Sequence, residues 1–222
     1  MNPVYTPEYY EFLYEKSSRN RILVTARTLF ASLGYDNTST ALIARNAGTS
    51  ESQLMKHFGG KAGLLETIFT EGWEKVNANL AECFETAGDF NARISCVPNV
   101  VAESLDKDLE LKTLVLLEGH RMREAARRKP AQSGYGRFLE MIDDVIARAK
   151  NSGEFPEHSS ASCLRAAIVG IVEGNVREQV LASRANYPAD YSPADFTKIV
   201  SLFLRSVASG PARDRQQICA GR

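Results

Sequence analysis

One short segment, residues 50–58, concentrates side chains that donate or accept hydrogen bonds. Leu54 and Phe58 are four residues apart, so in a helix they share one face and can anchor it to a core. The opposite face is polar and carries Glu51, Ser52, Gln53, Lys56 and His57. Side chains of these types can contact base edges and phosphate oxygens. The spacing therefore predicts a short helix that contacts nucleic acid.

A second helix and a tight turn must hold this segment in place. Thr38 is the predicted N-cap of the second helix, which ends near Ala47. Gly48 can adopt the positive φ that a tight turn between helices needs. Ser50 is the predicted N-cap of the polar segment, and Gly59 interrupts it. The stretch 37–61 is thus predicted to form a helix-turn-helix.

A further helix precedes this motif and completes a three-helix domain. It is predicted to begin at Ser18, as N-cap, and to stop at Gly34. Its inward-facing stripe consists of Ile22, Leu23, Ala26, Leu29 and Phe30. From Lys16 to Glu66 the chain has seven Lys and Arg against three Asp and Glu, although the whole chain is neutral. A basic small domain on a more acidic remainder favours local contact with phosphates.

The rest of the chain shows helical periodicity and no strand pattern, so we expect an all-α fold. Pro98 falls within an apolar-periodic run and predicts a kinked or restarted helix. The expected domains are an N-terminal extension (1–17), a helix-turn-helix domain (18–66), a helical effector-binding and dimerisation domain (67–209) and a flexible tail (210–222). The extension is rich in aromatic residues and is expected to pack on the body.

Several function classes find little support in the residues. No apolar run reaches the ~18 residues that cross a bilayer, and the N-terminus does not resemble a secretory signal, so we expect a cytoplasmic protein without membrane contact. The four cysteines form no CxxC pair, which favours reduced thiols over a disulfide or zinc framework. The histidines lack metal-ligand spacing, and no phosphate-binding or nucleophile motif occurs. We therefore expect no metal, no cofactor and no catalytic residue, while an enzyme built from distant helices stays open as an alternative.

The segment Arg19–Phe69 resembles the DNA-binding domain of the TetR/AcrR family of bacterial transcriptional regulators. The resemblance covers about a quarter of the chain and rests on the ILxxAxxLFxxxGY block, Thr38, Ile43-Ala44, Ala47-Gly48, Ser50, Leu54, the His57-Phe58 pair and Lys61. It implies a homodimer whose two recognition helices enter successive major grooves, about 34–36 Å apart, of a near-palindromic operator. The residues expected to contact DNA are Thr38, Thr49, Ser50, Ser52, Gln53, Met55, Lys56, His57 and Lys61.

Some positions depart from the family pattern, among them Leu42, where a polar residue is usual, and Ser39, which replaces a common threonine. Met55 stands where the family usually has a tyrosine that touches a phosphate, and methionine cannot donate that hydrogen bond. Glu51, at the start of the recognition helix, would repel phosphate, although its carboxylate could accept from cytosine N4. Its other interpretation is that it complements the helix dipole. Met55 and Glu51 both favour an alternative function: a small-molecule binding protein that has lost DNA affinity.

The resemblance also implies a regulatory domain that encloses a small-molecule effector, apolar or amphipathic, and dimerises through its last two helices. The candidate effector-binding residues are Leu114, Leu117, His120, Phe138, Met141, Ile142 and Glu173. The candidate dimerisation residues are Ala167, Gly170, Gly174, Phe196, Ile199 and Phe203. Gly170 and Gly174 are four apart on one face and fit either a dimer bundle or a tight core. We expect a ligand-responsive repressor that the effector releases from its operator.

Overall fold

The computed structural model describes residues 17–154, 160–185 and 191–208. Within these ranges all regular secondary structure is helical, which confirms the predicted all-α fold. The helices are α1 (Ser18–Leu33), α2 (Thr40–Asn46), α3 (Glu51–Phe58), α4 (Lys61–Thr86), α5 (Phe90–Asp106), α6 (Leu109–Arg128), α7 (Gly134–Ser152), α8 (Ala161–Ala185) and α9 (Pro193–Ala208), with a 3-10 turn at Pro130–Gln132. The predicted aromatic segment up to residue 16 and the tail from residue 210 lie outside the described residues.

Serine side chains cap the N-termini of α1, α2 and α3, and two of the predicted caps are wrong by one residue. Ser17, not Ser18, accepts the hydrogen bond that starts α1, from the backbone N–H of Asn20. Ser39, not Thr38, starts α2 by accepting from the N–H of Leu42. In both pairs each of the two adjacent residues is of a type that caps helices, so the sequence alone does not separate them clearly.

Helix α5 contains Pro98 and continues through it, from Phe90 to Asp106. Asp89 caps its N-terminus by accepting from the N–H of Ala92 at 2.7 Å. Proline has no N–H, so the carbonyl of Ile94, four residues earlier, loses its helical partner. The helix is thus locally weakened at its centre rather than divided into two.

The chain divides into two compact units. The first unit comprises the described parts of Met1–Gly72 and Asp108–Tyr135, and the second those of Trp73–Lys107 and Gly136–Arg222. Helix α6 therefore belongs with the helix-turn-helix, whereas α4 begins in the first unit and ends in the second. The boundaries 18–66 and 67–209 stay predictions.

The first unit is held together by an apolar core and by ion pairs between α1 and the start of α6. Its fully buried side chains include Ile22, Ala26, Phe30, Ile43, Leu54 and Leu64. The guanidinium of Arg27 is paired with Asp108, the N-cap of α6, and with Glu110 at 3.1 Å. Burial lowers the pKa of Arg27, and the charge of Glu110 opposes that shift.

The second unit has its own core and an unexpected covalent link. The rings of Trp73 and Phe138 pack with their centres 4.7 Å apart, joining α4 to α7. Cys83 in α4 and Cys96 in α5 form a disulfide, with their Cα atoms 6.1 Å apart. The prediction of reduced thiols is therefore wrong for this pair, because it used only spacing along the chain, and 13 residues of separation gave no signal. Cys163 is a free, exposed thiol.

None of the described helices is both long enough and apolar enough to cross a membrane.

Candidate functional site

The turn between α2 and α3 is fixed by backbone hydrogen bonds and by one arginine. The N–H of Thr49 donates to the carbonyl of Ala44 at 3.0 Å, and Gly48 adopts the predicted positive φ of 61°. Arg21, from α1, donates from Nε to the carbonyl of Ala47 at 3.0 Å. Because Ala47 is the C-cap of α2, this contact ties α1 to the end of α2 and sets the direction in which α3 leaves the turn.

Helix α3 is capped at both ends and anchored along one face. The hydroxyl of Ser50 accepts from the N–H of Gln53 at 3.3 Å, as predicted for an N-cap. Leu54 is fully buried and Phe58 is 8% exposed, which confirms both as anchors. Gly59 ends the helix in the left-handed conformation, where a side chain would be strained. A helix of only eight residues is marginal alone, so these contacts supply its stability.

The end of α3 lies directly against the first turn of α4. A Cβ atom added at Gly63 would be 1.9 Å from the carbonyl oxygen of Phe58. No side chain fits in that space, so any substitution at Gly63 requires the backbone to shift. Glycine at this position therefore lets the two helices approach more closely than other residues would allow.

The face of α3 opposite its anchors is open to solvent. Ser52, Gln53 and Lys56 are all exposed, as direct contact with base edges requires. Their amide, hydroxyl and ammonium groups can donate to or accept from bases in a major groove. The geometry of α3 thus agrees with the three predicted base-reading residues, which stay predictions.

Glu51 at the start of α3 is not a free carboxylate. Its Oε2 accepts a hydrogen bond from the hydroxyl of Thr40, at 2.6 Å. Thr40 is the first residue of α2, so the contact joins the beginnings of the two helices. This contact favours a structural interpretation of Glu51, at the positive end of the helix dipole, over contact with a base.

Met55 is 53% exposed, but its sulfur is turned towards the end of the helix. A Cβ atom at Gly60 would lie 3.6 Å from Met55 Sδ. The thioether therefore packs over a glycine whose φ is 115°. A methionine in this place covers the α3–α4 connection but offers no donor to a phosphate.

His57 and Lys61 each have a partner within the first unit. His57 Nε2 is 3.1 Å from the hydroxyl of Ser18 in α1. Lys61 Nζ donates to the carbonyl of Tyr35 at 2.9 Å and lies 4.2 Å from the centre of the tyrosine ring. An ammonium has two further N–H groups and an imidazole a second nitrogen. Contact with a phosphate is thus compatible with both structural roles.

Thr38 is the one predicted DNA contact that the structure contradicts. Its side chain is fully buried, and its hydroxyl donates to the carbonyl of Gly34 at 2.8 Å. A buried hydroxyl with an internal acceptor cannot reach a phosphate, so its role is to fix the connection between α1 and α2. Thr49 is half-buried, and its predicted contact stays a prediction.

The residue pattern missed three side chains that shape or extend this surface. Arg21 holds the turn, Thr40 holds Glu51, and Arg45 is exposed in the last turn of α2. Arg45 could have been found as a cation within the motif. The other two depend on contacts between helices, which have no local sequence signal.

A cavity in the second unit is a candidate effector site. It has a volume of about 390 Å³ and lies between α4, α5 and α7. Its lining residues are Ala81, Phe84, Glu85, Arg93, Met141, Asp144, Val145 and Arg148. Its volume lies within the range of small-molecule sites, about 300–1,000 Å³, and it combines apolar and charged groups.

The predicted effector residues are only partly brought together. Met141 lines the cavity just described. Phe138 and Ile142 are buried in the core of the second unit, and Glu173 is half-buried on α8. Leu114, Leu117 and His120 lie on α6 in the first unit, where Leu114 is fully buried and the other two are exposed. As effector contacts, all seven stay predictions.

The predicted dimerisation residues lie at the surface of α8 and α9. Ala167 and Gly170 are exposed, and Gly174 and Phe196 are half-exposed. A Cβ at either glycine would meet no described atom within 4 Å, so these glycines do not serve a tight core within the described protomer. On α9, Ile199 is 64% exposed and Phe203 49% exposed. Large apolar side chains exposed together mark a surface that a partner could cover.

Among the described residues no cluster of three or more His, Cys, Asp or Glu side chains is arranged to hold a metal ion.

Residues 22–68 match the sequence family described as bacterial regulatory proteins, tetR family. The matched range contains the whole helix-turn-helix. The chain is also 22% identical over 161 residues to the fatty acid metabolism regulator protein of Bacillus subtilis (strain 168), a match that covers 72% of this chain and 82% of that protein.

Solved structures share the fold over most of their length. The transcriptional regulator FadR from Bacillus subtilis, in complex with stearoyl-CoA, is 20% identical with a TM-score of 0.69, over 84% of this chain and 97% of that one. A putative TetR-family transcriptional regulator from Syntrophomonas wolfei is 16% identical with a TM-score of 0.71, over 89% of this chain and 97% of that one. At these identities the likeness establishes the fold of the chain.

Proposed function

We propose that the chain, whose residues 22–68 match the tetR family of bacterial regulatory proteins, is a homodimeric repressor that leaves its operator when a small molecule binds. The observation that carries this proposal is α3, whose polar face is exposed while Leu54 and Phe58 fix the helix to the core. Two copies of α3 in successive major grooves read a near-palindromic operator. The protein acts in the cytoplasm, where the operator is.

The test of DNA binding is a mobility-shift experiment with the DNA upstream of the protein's own coding sequence. We expect a specific complex containing two protomers, which unrelated DNA of equal length does not displace. Selection from a random DNA library then gives the operator, which should be a near-palindrome. A chain that binds neither the upstream DNA nor any selected sequence is not a DNA-binding regulator.

The second candidate function is a small-molecule binding protein without DNA affinity. Met55, which has no donor for a phosphate, and the engagement of Glu51 by Thr40 support it. The substitution Met55→Tyr separates the two candidates. If the natural chain binds no DNA but the Met55→Tyr variant does, the second candidate is correct. If both bind DNA, the repressor is supported, and the effect of Met55 is limited to the loss of one contact to a DNA phosphate.

The proposed effector is an amphipathic small molecule in the cavity between α4, α5 and α7. Phe84, Met141 and Val145 offer apolar surface, and Arg93 and Arg148 offer cationic groups beside two acids. The Bacillus subtilis relative holds stearoyl-CoA, so this thioester is the probe we choose. A ligand at one hundred times its Kd stabilises the folded state by about 2.7 kcal/mol, which thermal unfolding detects.

Two variants test the location of the effector. Met141→Trp places a larger side chain into the cavity and should abolish the thermal shift with stearoyl-CoA. Glu140→Gln changes the exposed neighbour on the same helix and should leave the shift intact. A shift that persists in Met141→Trp places the ligand elsewhere, and the absence of any shift in the natural chain removes this thioester as the effector.

The proposed dimer uses α8 and α9. Ala167, Gly170 and Gly174 form a stripe of small residues at helical spacing, and Ile199 and Phe203 expose apolar surface on the next helix. Small residues let two helices approach closely, and the apolar residues supply burial on association. Sedimentation velocity over a range of concentrations tests the assembly, since a chain that remains monomeric would contradict it.

A further inference from the structure

The disulfide Cys83–Cys96 joins the last turn of α4 to the second turn of α5. The Cα separation of 6.1 Å lies in the usual range for a disulfide, so both helices are positioned to accept the bond. A DNA-binding regulator acts in a compartment that keeps thiols reduced. Disulfides found there are usually transient and either catalytic or redox-sensing. This bond therefore calls for a role other than permanent cross-linking, an inference that rests on the proposed function.

The two cysteines differ in their exposure to solvent. Cys96 is buried, with 7% of its surface exposed, whereas Cys83 is half-buried and lines an open groove between α4 and α5. The groove has a volume of about 380 Å³, and the other residues that line it are Asn79, Glu82, Thr86, Val100, Glu103, Ser104 and Lys107. A small thiol can enter such a groove. Attack is thus directed to Cys83 Sγ, and Cys96 is the sulfur that leaves.

The bond also connects α4 and α5, two of the three helices that line the candidate effector cavity. Phe84 and Glu85, next to Cys83 along α4, line that cavity, and Arg93 lines it from α5, three residues before Cys96. An intact bond limits how far these two walls can separate. A reduced pair removes that limit.

We propose that Cys83–Cys96 is a reversible thiol–disulfide switch, closed by disulfide oxidants and opened by dithiols, that controls how freely α4 and α5 move apart. In the opening reaction a dithiol thiolate attacks Cys83 Sγ, forms a mixed disulfide and releases the Cys96 thiolate. The second dithiol sulfur then attacks the first, forms a cyclic disulfide and releases the Cys83 thiolate. Two electrons and two protons pass from the dithiol to the protein, and closing by an oxidised dithiol is the reverse.

Opening the bond loosens the helix pair without unfolding it. The two helices also pack through buried apolar side chains, namely Leu80 in α4 and Val97 and Val101 in α5. This packing does not depend on the disulfide, so we expect it to remain when the bond is reduced. Pro98, two residues after Cys96, leaves α5 without one backbone hydrogen bond at this point. The reduced hairpin therefore gains its freedom in the last turn of α4 and around Pro98.

The exchange reaction is tested on the native full-length chain in mixtures of reduced and oxidised dithiothreitol. Samples are quenched with acid and alkylated under denaturing conditions, and the number of alkylated thiols is determined by mass spectrometry. The sequence has four cysteines, so we expect four alkylated thiols in excess reductant and two in excess oxidant, with peptide maps assigning the difference to Cys83 and Cys96. Thiols that stay unpaired in excess oxidant would overturn the proposal, as would a bond that dithiothreitol reduces only after urea unfolding.

The structural consequence is tested by hydrogen exchange on the same two states. Amides in residues 79–86 and 94–101 should exchange roughly tenfold faster in the reduced protein, whereas α1 and α3, which belong to the first unit, should not change. The double substitution Cys83→Ser with Cys96→Ser should reproduce the reduced pattern under oxidising conditions. The control Cys163→Ser, at the exposed free thiol, should keep the switch. Equal exchange rates in both states would show that the bond does not restrain the helices.

None of these measurements uses DNA. A failed operator search would therefore overturn the repressor and leave the switch standing, whereas an inert disulfide would overturn the switch alone.

Discussion

Lys61 Nζ donates to the carbonyl oxygen of Tyr35 at 2.9 Å and lies 4.2 Å from the centre of the same residue's ring. A second cation, Arg121 from α6, lies 4.4 Å from that ring. Tyr35 belongs to the short connection between α1 and α2, so α4 and α6 both hold that connection in place. The lysine expected to bind a DNA phosphate is therefore also a structural residue.

Lys61→Met is expected to reduce both stability and DNA affinity. The carbonyl of Tyr35 loses a charged donor, which costs about 1–3 kcal/mol of unfolding free energy. Loss of one phosphate contact also lowers the slope of log Kd against log salt by about 0.9. Urea unfolding and fluorescence anisotropy at several salt concentrations measure the two effects.

The matched control is Lys75→Met, which removes an exposed lysine from the same helix. It should change neither quantity. A loss of stability in Lys61→Met with an unchanged salt slope would restrict Lys61 to its structural role.

Gln53→Ala is expected to relax the preference for one base pair in each half-site. Gln53 is exposed on α3, and a bidentate contact to a base contributes about 1–3 kcal/mol of discrimination. Selection of operators from a random library with the natural and variant proteins measures the change. Gln132→Ala, at an exposed glutamine in the 3-10 turn, serves as control. If the two selection profiles are identical, Gln53 does not read a base.

Gly170→Arg is expected to prevent dimerisation while leaving the protomer folded. A Cβ at Gly170 meets no described atom within 4 Å, and replacing glycine inside a helix generally stabilises it by roughly 0.5–1 kcal/mol. We expect the dimer Kd, from sedimentation velocity, to rise at least tenfold, which is about 1.4 kcal/mol. Gly88→Arg adds the same side chain at another open glycine, between α4 and α5, and should leave the Kd unchanged. A dimer of full affinity in Gly170→Arg would exclude this face of α8 from the interface.

The raised pKa of Tyr35 predicts that the protein loses stability at alkaline pH. Burial raises the pKa of the Tyr35 hydroxyl above the ordinary value of 10.0, and the charge of Arg121 partly offsets the shift. The folded state thus favours the neutral phenol. Its contribution is fully present below pH 10 and is lost as the pH rises from there towards the higher folded pKa. Urea unfolding from pH 8 upward should show a steeper alkaline decline for the natural chain than for Tyr35→Phe, and parallel declines would contradict the assignment.

The elements of the helix-turn-helix were predictable because their signals are local. Leu54 and Phe58 share a face by spacing alone, Ser50 is a cap by type and position, and Gly59 ends the helix because it can adopt the left-handed conformation. Thr38 shows the limit of such reasoning. Its type suits a cap or a phosphate contact, but its neighbour Ser39 caps the helix, and Thr38 itself is buried.

The contacts between distant segments were not predictable from spacing. Arg21 reaches the carbonyl of Ala47 across 26 residues, and Cys83 meets Cys96 across a turn between two helices. Such pairs depend on how helices cross, which the periodicity of one helix does not encode. The residues of the candidate cavity illustrate the same limit, since only Met141 was expected there.

The absence of room for a Cβ at Gly63 has a mechanical consequence. With the first turn of α4 pressed against the carbonyl of Phe58, the end of the recognition helix and the start of α4 cannot slide past each other. The end of α3 and the start of α4 therefore move as one rigid piece. A small tilt at the start of α4 is thus expected to move α3 with it. Gly63→Ala would loosen this contact even though every side chain predicted to contact DNA is unchanged.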